Sequence, residues 1–263
     1  MESTLGVQLE DLQKAVGFFL GYGTNSAKWN AKQTEGIAES VKSGVRQFYY
    51  PPKLEGDQTA YDWSFLKPVS VMTLAVGEKL QRLPDDYGGL EGQVTLSSDA
   101  EINWWPLNVC GVASVYAKES VSPTTTGRPC MVCVEPLKDT TSRRGQRFQL
   151  HFWPTTDTEY TVKFQYYLNP DALDGTRPFC YGGAQHAETI QASCIAAAEL
   201  YRDDARRERW QYFMERLAAS VHIDRRNKPQ NLGYNRDQSD MRNRWDGRRW
   251  IDGQSITVNG VTY

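Results

Sequence analysis

The sequence is poor in the residues from which reactive centres are built. Only three histidines occur in 263 residues, and His151, His186 and His222 fall in three separate segments. A nucleophile, its base and an orienting group need a plausible grouping, and none is visible. Neither a GxSxG motif nor a papain-like cysteine motif is present. Gly21-Tyr22-Gly23, Gly88-Gly89 and Gly182-Gly183 lack the spacing of phosphate-binding loops and read as turns and caps. Five cysteines, odd in number and irregular in spacing, exclude a disulfide framework and point to a reducing compartment. An excess of one charge is also missing: the formal net charge is −2, so no overall field steers the chain toward nucleic acid or anionic lipid. No window approaches the roughly eighteen apolar residues of a membrane span. The opening MESTLGVQLEDLQKAV has no apolar core of signal-peptide type. A soluble protein, intracellular at synthesis and without a membrane partner, is expected.

The remaining candidates for chemistry read as structure. Cys130-Met131-Val132-Cys133 has the spacing of half a zinc site, but no second pair completes it, and Cys130, Val132 and Val134 alternate as in a strand. Asp85-Asp86 and Asp203-Asp204 are adjacent carboxylates, which point apart in a strand or helix and make poor acid/base pairs. The expectation is therefore no catalytic residue, no enzyme, no cofactor and no metal.

What the sequence does hold is helical periodicity at both ends and strand texture between. Residues 7–20 place Leu9, Leu12, Val16, Phe19 and Leu20 on one face, with a stop at Gly21 to Gly23. Residues 31–49 place Ile37, Val41, Val45 and Phe48 at helical steps, and Pro51-Pro52 ends them. From Gly182 to Arg226 there is no proline and, after the opening glycines, no glycine. Ala187, Ile190, Cys194, Ala197, Ala198, Tyr201 and Ala205, then Phe213, Leu217 and Val221, predict one long amphipathic helix. Its alanine-rich first half (Ala192, Ala196, Ala197, Ala198) allows another helix to approach closely. Its second half alternates charge through Arg202, Asp203, Asp204, Arg206, Arg207, Glu208 and Arg209, which fits a solvated or subunit-facing surface.

Aromatic residues make up 12% of the chain, and five short runs are rich in β-branched or aromatic residues: VSVMTLAV, QVTLSS, PCMVCVEPL, RFQLHFWP and EYTVKFQYYL. In the fourth run, Phe148, Leu150 and Phe152 alternate with Arg147, Gln149 and His151, the pattern of a half-buried strand. Residues 107–119 fit a short helix or another strand. The reading is α+β: a helical bundle from N-terminal helices (1–67) and a long C-terminal helix (176–226), with an inserted antiparallel β-module (68–175). Residues 227–263 read as an extended C-terminal arm. Between Arg225 and Trp250 the chain carries eight lysines and arginines against three aspartates, interleaved with Tyr234, Trp245 and Trp250. Such a segment folds onto a partner, either an acidic protein surface or nucleic acid. The final SITVNGVTY suits a small hairpin or a strand added to a neighbour's sheet.

Several stretches taken in order carry a resemblance: AVGFFLGYG, VKSGVRQFYYPP, YDWSFLKP, LPDDYGGLEG, TGRPC, FWPTTDTEYTVKFQYYLNPDAL, GGAQHAETIQASCIAAAE, FMERLAASVHIDRR and LGYN. Together they resemble the head-to-tail connector, or adaptor, proteins of tailed bacteriophages, over about residues 9 to 236. The resemblance implies a homo-oligomeric ring, commonly twelvefold, in the neck of the virion. Such a ring sits beneath the portal protein, extends the DNA channel and offers tail proteins a platform. Genomic DNA would pass through without sequence-specific contact. For the portal contact this reading selects Tyr234, Arg236, Arg242, Arg244, Trp245, Arg248, Arg249 and Trp250. For the subunit interface it selects Arg202, Asp203, Arg206, Arg207, Glu208 and Arg209. The alternative is a nucleic-acid-binding module that uses the same basic, aromatic arm.

Overall fold

The amphipathic periods on either side of the central region fold as helices, and the runs rich in β-branched and aromatic residues between them fold as sheets. The computed structural model describes residues 5–98, 104–138 and 145–227, with the backbone of residues 257, 258, 261 and 262. The class is mixed α+β. Helix α1 (Leu9–Phe19) is entered through a capping box made by Gln8 and Asp11, and α2 (Ala31–Tyr49) through one made by Asn30 and Gln33. The anticipated apolar stripe of α2 is buried in full: Ile37, Val41, Val45 and Phe48 are each at most 5% exposed.

The single long C-terminal helix does not form. It is two helices, α4 (Ala187–Asp203) and α5 (Glu208–Asn227), folded back on each other. Thr189 on α4 meets Ser220 on α5 at 2.6 Å, while Glu199 reaches the start of α5, so the pair runs antiparallel. The chain reverses at Asp204, which takes the left-handed conformation (φ 50°) that aspartate tolerates better than most residues. A helix end costs free energy because its terminal N–H groups lose their partners. Here the buried Glu199 carboxylate accepts from the backbone N–H of Arg207 (3.0 Å), Trp210 (3.3 Å) and Arg209 (3.4 Å). That anion at the helix start offsets the cost of the break.

Close approach of α4 to a second helix is borne out, and the partner is α2. A Cβ built on Gly44 would lie 2.4 Å from Cys194 Cα, so only glycine fits there. Ser193 Oγ donates to Gly44 O at 2.6 Å across the same contact. Burial of Ala192, Ala196, Ala197 and Ala198 completes the face.

Between residues 69 and 168 the described strands form two four-stranded sheets. The first contains β1 (Val69–Leu74), β3 (Tyr87–Ser98), β4 (Trp105–Pro106) and β8 (Tyr160–Leu168) in the order β1-β8-β3-β4, antiparallel throughout. The second contains β2 (Leu80–Arg82), β5 (Asn108–Val109), β6 (Met131–Leu137) and β7 (Arg147–Trp153) in the order β2-β7-β6-β5. Its β5–β6 pair is parallel and the others are antiparallel. The ambiguous stretch at 107–119 is both things expected of it: β5, and then α3 (Val112–Val121), which packs on β6 and β7. One continuous apolar cluster joins the helices to both sheets, from Leu12 and Phe48 to Leu96, Val132 and Phe164.

Residues up to Arg225 form one compact unit, and Arg226–Tyr263 form a second. In the latter, β9 (Thr257–Val258) and β10 (Val261–Thr262) pair antiparallel, the hairpin option for the last run.

Candidate functional site

The register of β6 against β7 creates a site that was not visible in the sequence. Cys133 pairs with His151 and Glu135 with Gln149, and side chains two apart on a strand share a face. Cys133, Glu135, His151 and Gln149 therefore project to one side, where α3 lies over them and adds Tyr116 and Glu119. His151 was expected on a polar, solvated strand face. It is instead buried at 2% exposure, because α3 covers that face. The three histidines lie in three different elements, as expected, and His151 is grouped instead with Cys133, Glu135 and Glu119.

The contacts form a chain. His151 Nδ1 lies 2.7 Å from Glu135 Oε1, and His151 Nε2 lies 3.1 Å from Glu119 Oε1. Lys79 Nζ donates to Glu119 Oε1 at 2.7 Å, and Gln149 Nε2 donates to Glu135 Oε2 at 3.0 Å. The Cys133 thiol contacts Glu135 Oε1 at 3.7 Å. Tyr116 sets its ring edge-to-face against His151, with centroids 5.5 Å apart. Cys133 Sγ, a Glu135 carboxylate oxygen and a His151 ring nitrogen all lie within 4.8 Å of one another.

Electrostatics follows from this packing. Burial raises the Glu135 carboxyl, but hydrogen bonds from His151 and Gln149 reverse that and leave it below the usual range. The Lys79 ammonium, against some burial and with help from His151, also holds Glu119 low. Burial and the neighbouring Glu135 push the Cys133 thiol up to about 12. A nucleophilic cysteine must be a thiolate near neutral pH and must face its base. Burial favours the protonated thiol at Cys133, and its hydrogen bond runs to Glu135 and not to His151, which is not the contact of a cysteine–histidine nucleophile.

The other singled-out residues are placed as follows. Cys130 is exposed and Cys133 buried, so the CxxC pair does not act together. Their sulfurs differ in partner too, since Cys130 Sγ contacts Trp153 O at 3.7 Å. His186 sits at the start of α4 among the rings of Phe48, Trp63 and Phe65, and burial lowers its pKa. His222 lies on α5 at the edge of a groove of about 670 Å³, lined among others by Leu54, Trp210, Met214 and Arg225. Asp85 pairs with Arg147 at 3.0 Å, and Asp86 accepts from Tyr166 at 3.1 Å, both as ordinary structural contacts.

The six subunit-interface candidates gather at the α4–α5 turn. Arg202 donates to Asp203 at 2.8 Å and stacks on Phe19 at 4.6 Å, and its guanidinium holds the Asp203 carboxyl below the usual range. Arg207 approaches Asp203 at 3.9 Å. Arg206 lies 4.0 Å over the Trp210 ring and Arg209 5.8 Å from that of Phe19. Glu208 opens α5 and is exposed. All the portal-contact candidates, Tyr234, Arg236, Arg242, Arg244, Trp245, Arg248, Arg249 and Trp250, lie outside the described residues.

Compared with known proteins, the chain matches no family model and none of the curated proteins.

Proposed function

We propose that this chain is a head-to-tail adaptor of a tailed bacteriophage, a structural ring subunit between portal and tail. In this reading α1, α2, α4 and α5 build the ring body, and the two sheets lie toward the tail or the outside. The arm after Arg226 reaches along the portal, and DNA passes through the ring without being read. The ordered resemblance over residues 9 to 236 raises the proposal.

The observation that carries it is the α4–α5 turn. Its arginines stand at the exposed tip of a helical hairpin, with Arg206 and Arg209 stacked on aromatic rings. Neither forms an ion pair with a carboxylate among the described residues. Pre-oriented guanidinium groups of this kind suit repeated contacts between identical subunits in a heterologous ring. Asp203 is already engaged by Arg202 and Arg207 of its own chain, so Arg206 and Arg209 are the stronger candidates for reaching a neighbour.

Native mass spectrometry of the protein mixed with the portal protein encoded beside it tests the reading. A ring-on-ring complex is expected, lost on truncation after Arg226 and weakened by Arg206→Glu with Arg209→Glu. A chain that stays monomeric beside its portal would overturn it. The alternative, nucleic-acid binding through the arm, predicts affinity for short duplexes that falls steeply with salt.

A further inference from the structure

Each ring nitrogen of His151 needs a proton or a cation against the carboxylate it faces. A doubly protonated ring meets both needs, and a cation can replace the proton on one side. Both ring nitrogens face carboxylate oxygens, Glu135 Oε1 at 2.7 Å and Glu119 Oε1 at 3.1 Å. At each position a lone pair would oppose another unless a proton or a cation lies between them. On the Glu119 side a ring N–H answers the need, because Lys79 fixes that carboxylate and leaves it as an acceptor. On the Glu135 side a third donor atom, Cys133 Sγ, converges on the same oxygen at 3.7 Å.

We propose that Cys133 Sγ, Glu135 Oε1 and His151 Nδ1 form a site for one borderline-soft divalent cation of the zinc class, with water as fourth ligand. Thiolate, imidazole and carboxylate are the donors that zinc takes. Ligand bonds of about 2.0–2.3 Å in a tetrahedron set donor atoms roughly 3.2–3.6 Å apart. The sulfur–oxygen separation is already 3.7 Å, and the nitrogen–oxygen pair at 2.7 Å needs to open by about half an ångström.

The surrounding shell is built for the role. Glu119 accepts from His151 Nε2, which leaves Nδ1 as the lone pair facing the ion, the usual carboxylate–histidine–metal relay. Gln149 occupies Glu135 Oε2 and turns Oε1 inward. When the ion binds, the Cys133 thiol and any proton at His151 Nδ1 go to solvent as hydrogen ions. The ion and Lys79 then balance the thiolate, Glu135 and Glu119, so the buried charge stays close to neutral. The ion would pin β6 to β7 directly and hold α3 through the Glu119–His151 contact; α3 buries only Val115 in its own right. The proposal does not depend on the adaptor reading.

The test uses the full-length protein, stripped with a chelator and titrated with Co²⁺, a spectroscopic stand-in for zinc. One Co²⁺ per chain is expected, with a thiolate-to-cobalt charge-transfer band and the intense visible absorption of a tetrahedral site. Zinc should displace it stoichiometrically. Cys133→Ser should abolish the charge-transfer band, Glu119→Gln should weaken binding about tenfold or more, and Cys130→Ser should change nothing. Absence of the band in the wild-type protein overturns the proposal without recourse to any variant. So does its loss in Cys130→Ser or its survival in Cys133→Ser.

Discussion

Of the three carboxylates buried among the described residues, Asp224 and Glu135 differ most, one lying among helices and one between a sheet and a helix. Asp224 of α5 is 3% exposed and accepts from neutral donors: the Tyr61 hydroxyl at 2.7 Å, the Ser64 amide at 3.1 Å and the Ser64 hydroxyl. Glu135 of β6 is 7% exposed and shares its oxygens among an amide, an imidazole and a thiol. The first arrangement is a clamp that ties the segment before β1 to α5 through neutral hydroxyl and amide donors. The second brings titratable and metal-binding groups to one oxygen. Burial alone therefore does not mark a functional site; the chemistry of the donors does.

The comparison can be broken at either end. The largest loss should follow Asp224→Ala, which strands the Tyr61 and Ser64 donors in the interior. About 3 kcal/mol is expected in urea unfolding, with Asp224→Asn losing less because it still accepts hydrogen bonds. Next comes Gly44→Ala, which drives a methyl group into the Cys194 backbone 2.4 Å away and should cost about 2 kcal/mol by forcing α2 from α4. Glu199→Gln removes the anion from the start of α5 but keeps one acceptor, and about 1 kcal/mol is expected.

Acid sharpens the contrast further. His186 is buried with its pKa lowered, so the folded ring resists a proton that the unfolded chain accepts. Its contribution is fully present above the ordinary imidazole value of about 6.5 and declines as pH falls toward the folded value. His186→Phe should flatten the slope of stability against pH just below that point, measured by unfolding midpoints. Glu135 and Glu119 are both lowered, so their contribution is present above the ordinary carboxylate value of about 4.3 and is lost as pH falls through their folded values. Glu135→Gln should reduce the acid sensitivity in that lower window. The smallest effect on stability is expected for Arg206→Glu, about 0.5 kcal/mol or less for an exposed stacked side chain. A large loss of assembly with so small a loss of stability would assign the turn to subunit contact.

Much of this fold could be read along the chain. Helices α1 and α2 were legible because apolar residues recur at helical spacing and glycine or proline stops each of them. The five runs rich in β-branched or aromatic residues were legible because strands alternate, and each of them contributes most of its length to a strand. The break at Asp204 was not legible, since apolar spacing and charge alternation continue through it. The residue that permits the break, Glu199, sits inside α4 and finds its partners only once α5 has folded back. The cluster around His151 was hidden for a related reason. The CxxC spacing drew attention to Cys130 and Cys133, whereas the residues that come together are Cys133 and Glu135 opposite His151 and Gln149. That grouping exists only when residue 133 pairs with residue 151.

What the sequence determined by itself was local: which stretches are helical, which are extended, where chains of apolar residues must be buried, and that the class is α+β. Those properties depend on spacing within a few residues, and the backbone periods of about 3.6 and 2.0 read spacing directly. What only the tertiary structure decided was pairing: α4 on α2 through Gly44, α5 back on α4 through Glu199, and His151 between two glutamates beside a thiol. Pairing depends on register and on which face another element covers. Single segments do not encode it, because a buried polar group is defined by the donors that distant parts of the chain bring to it.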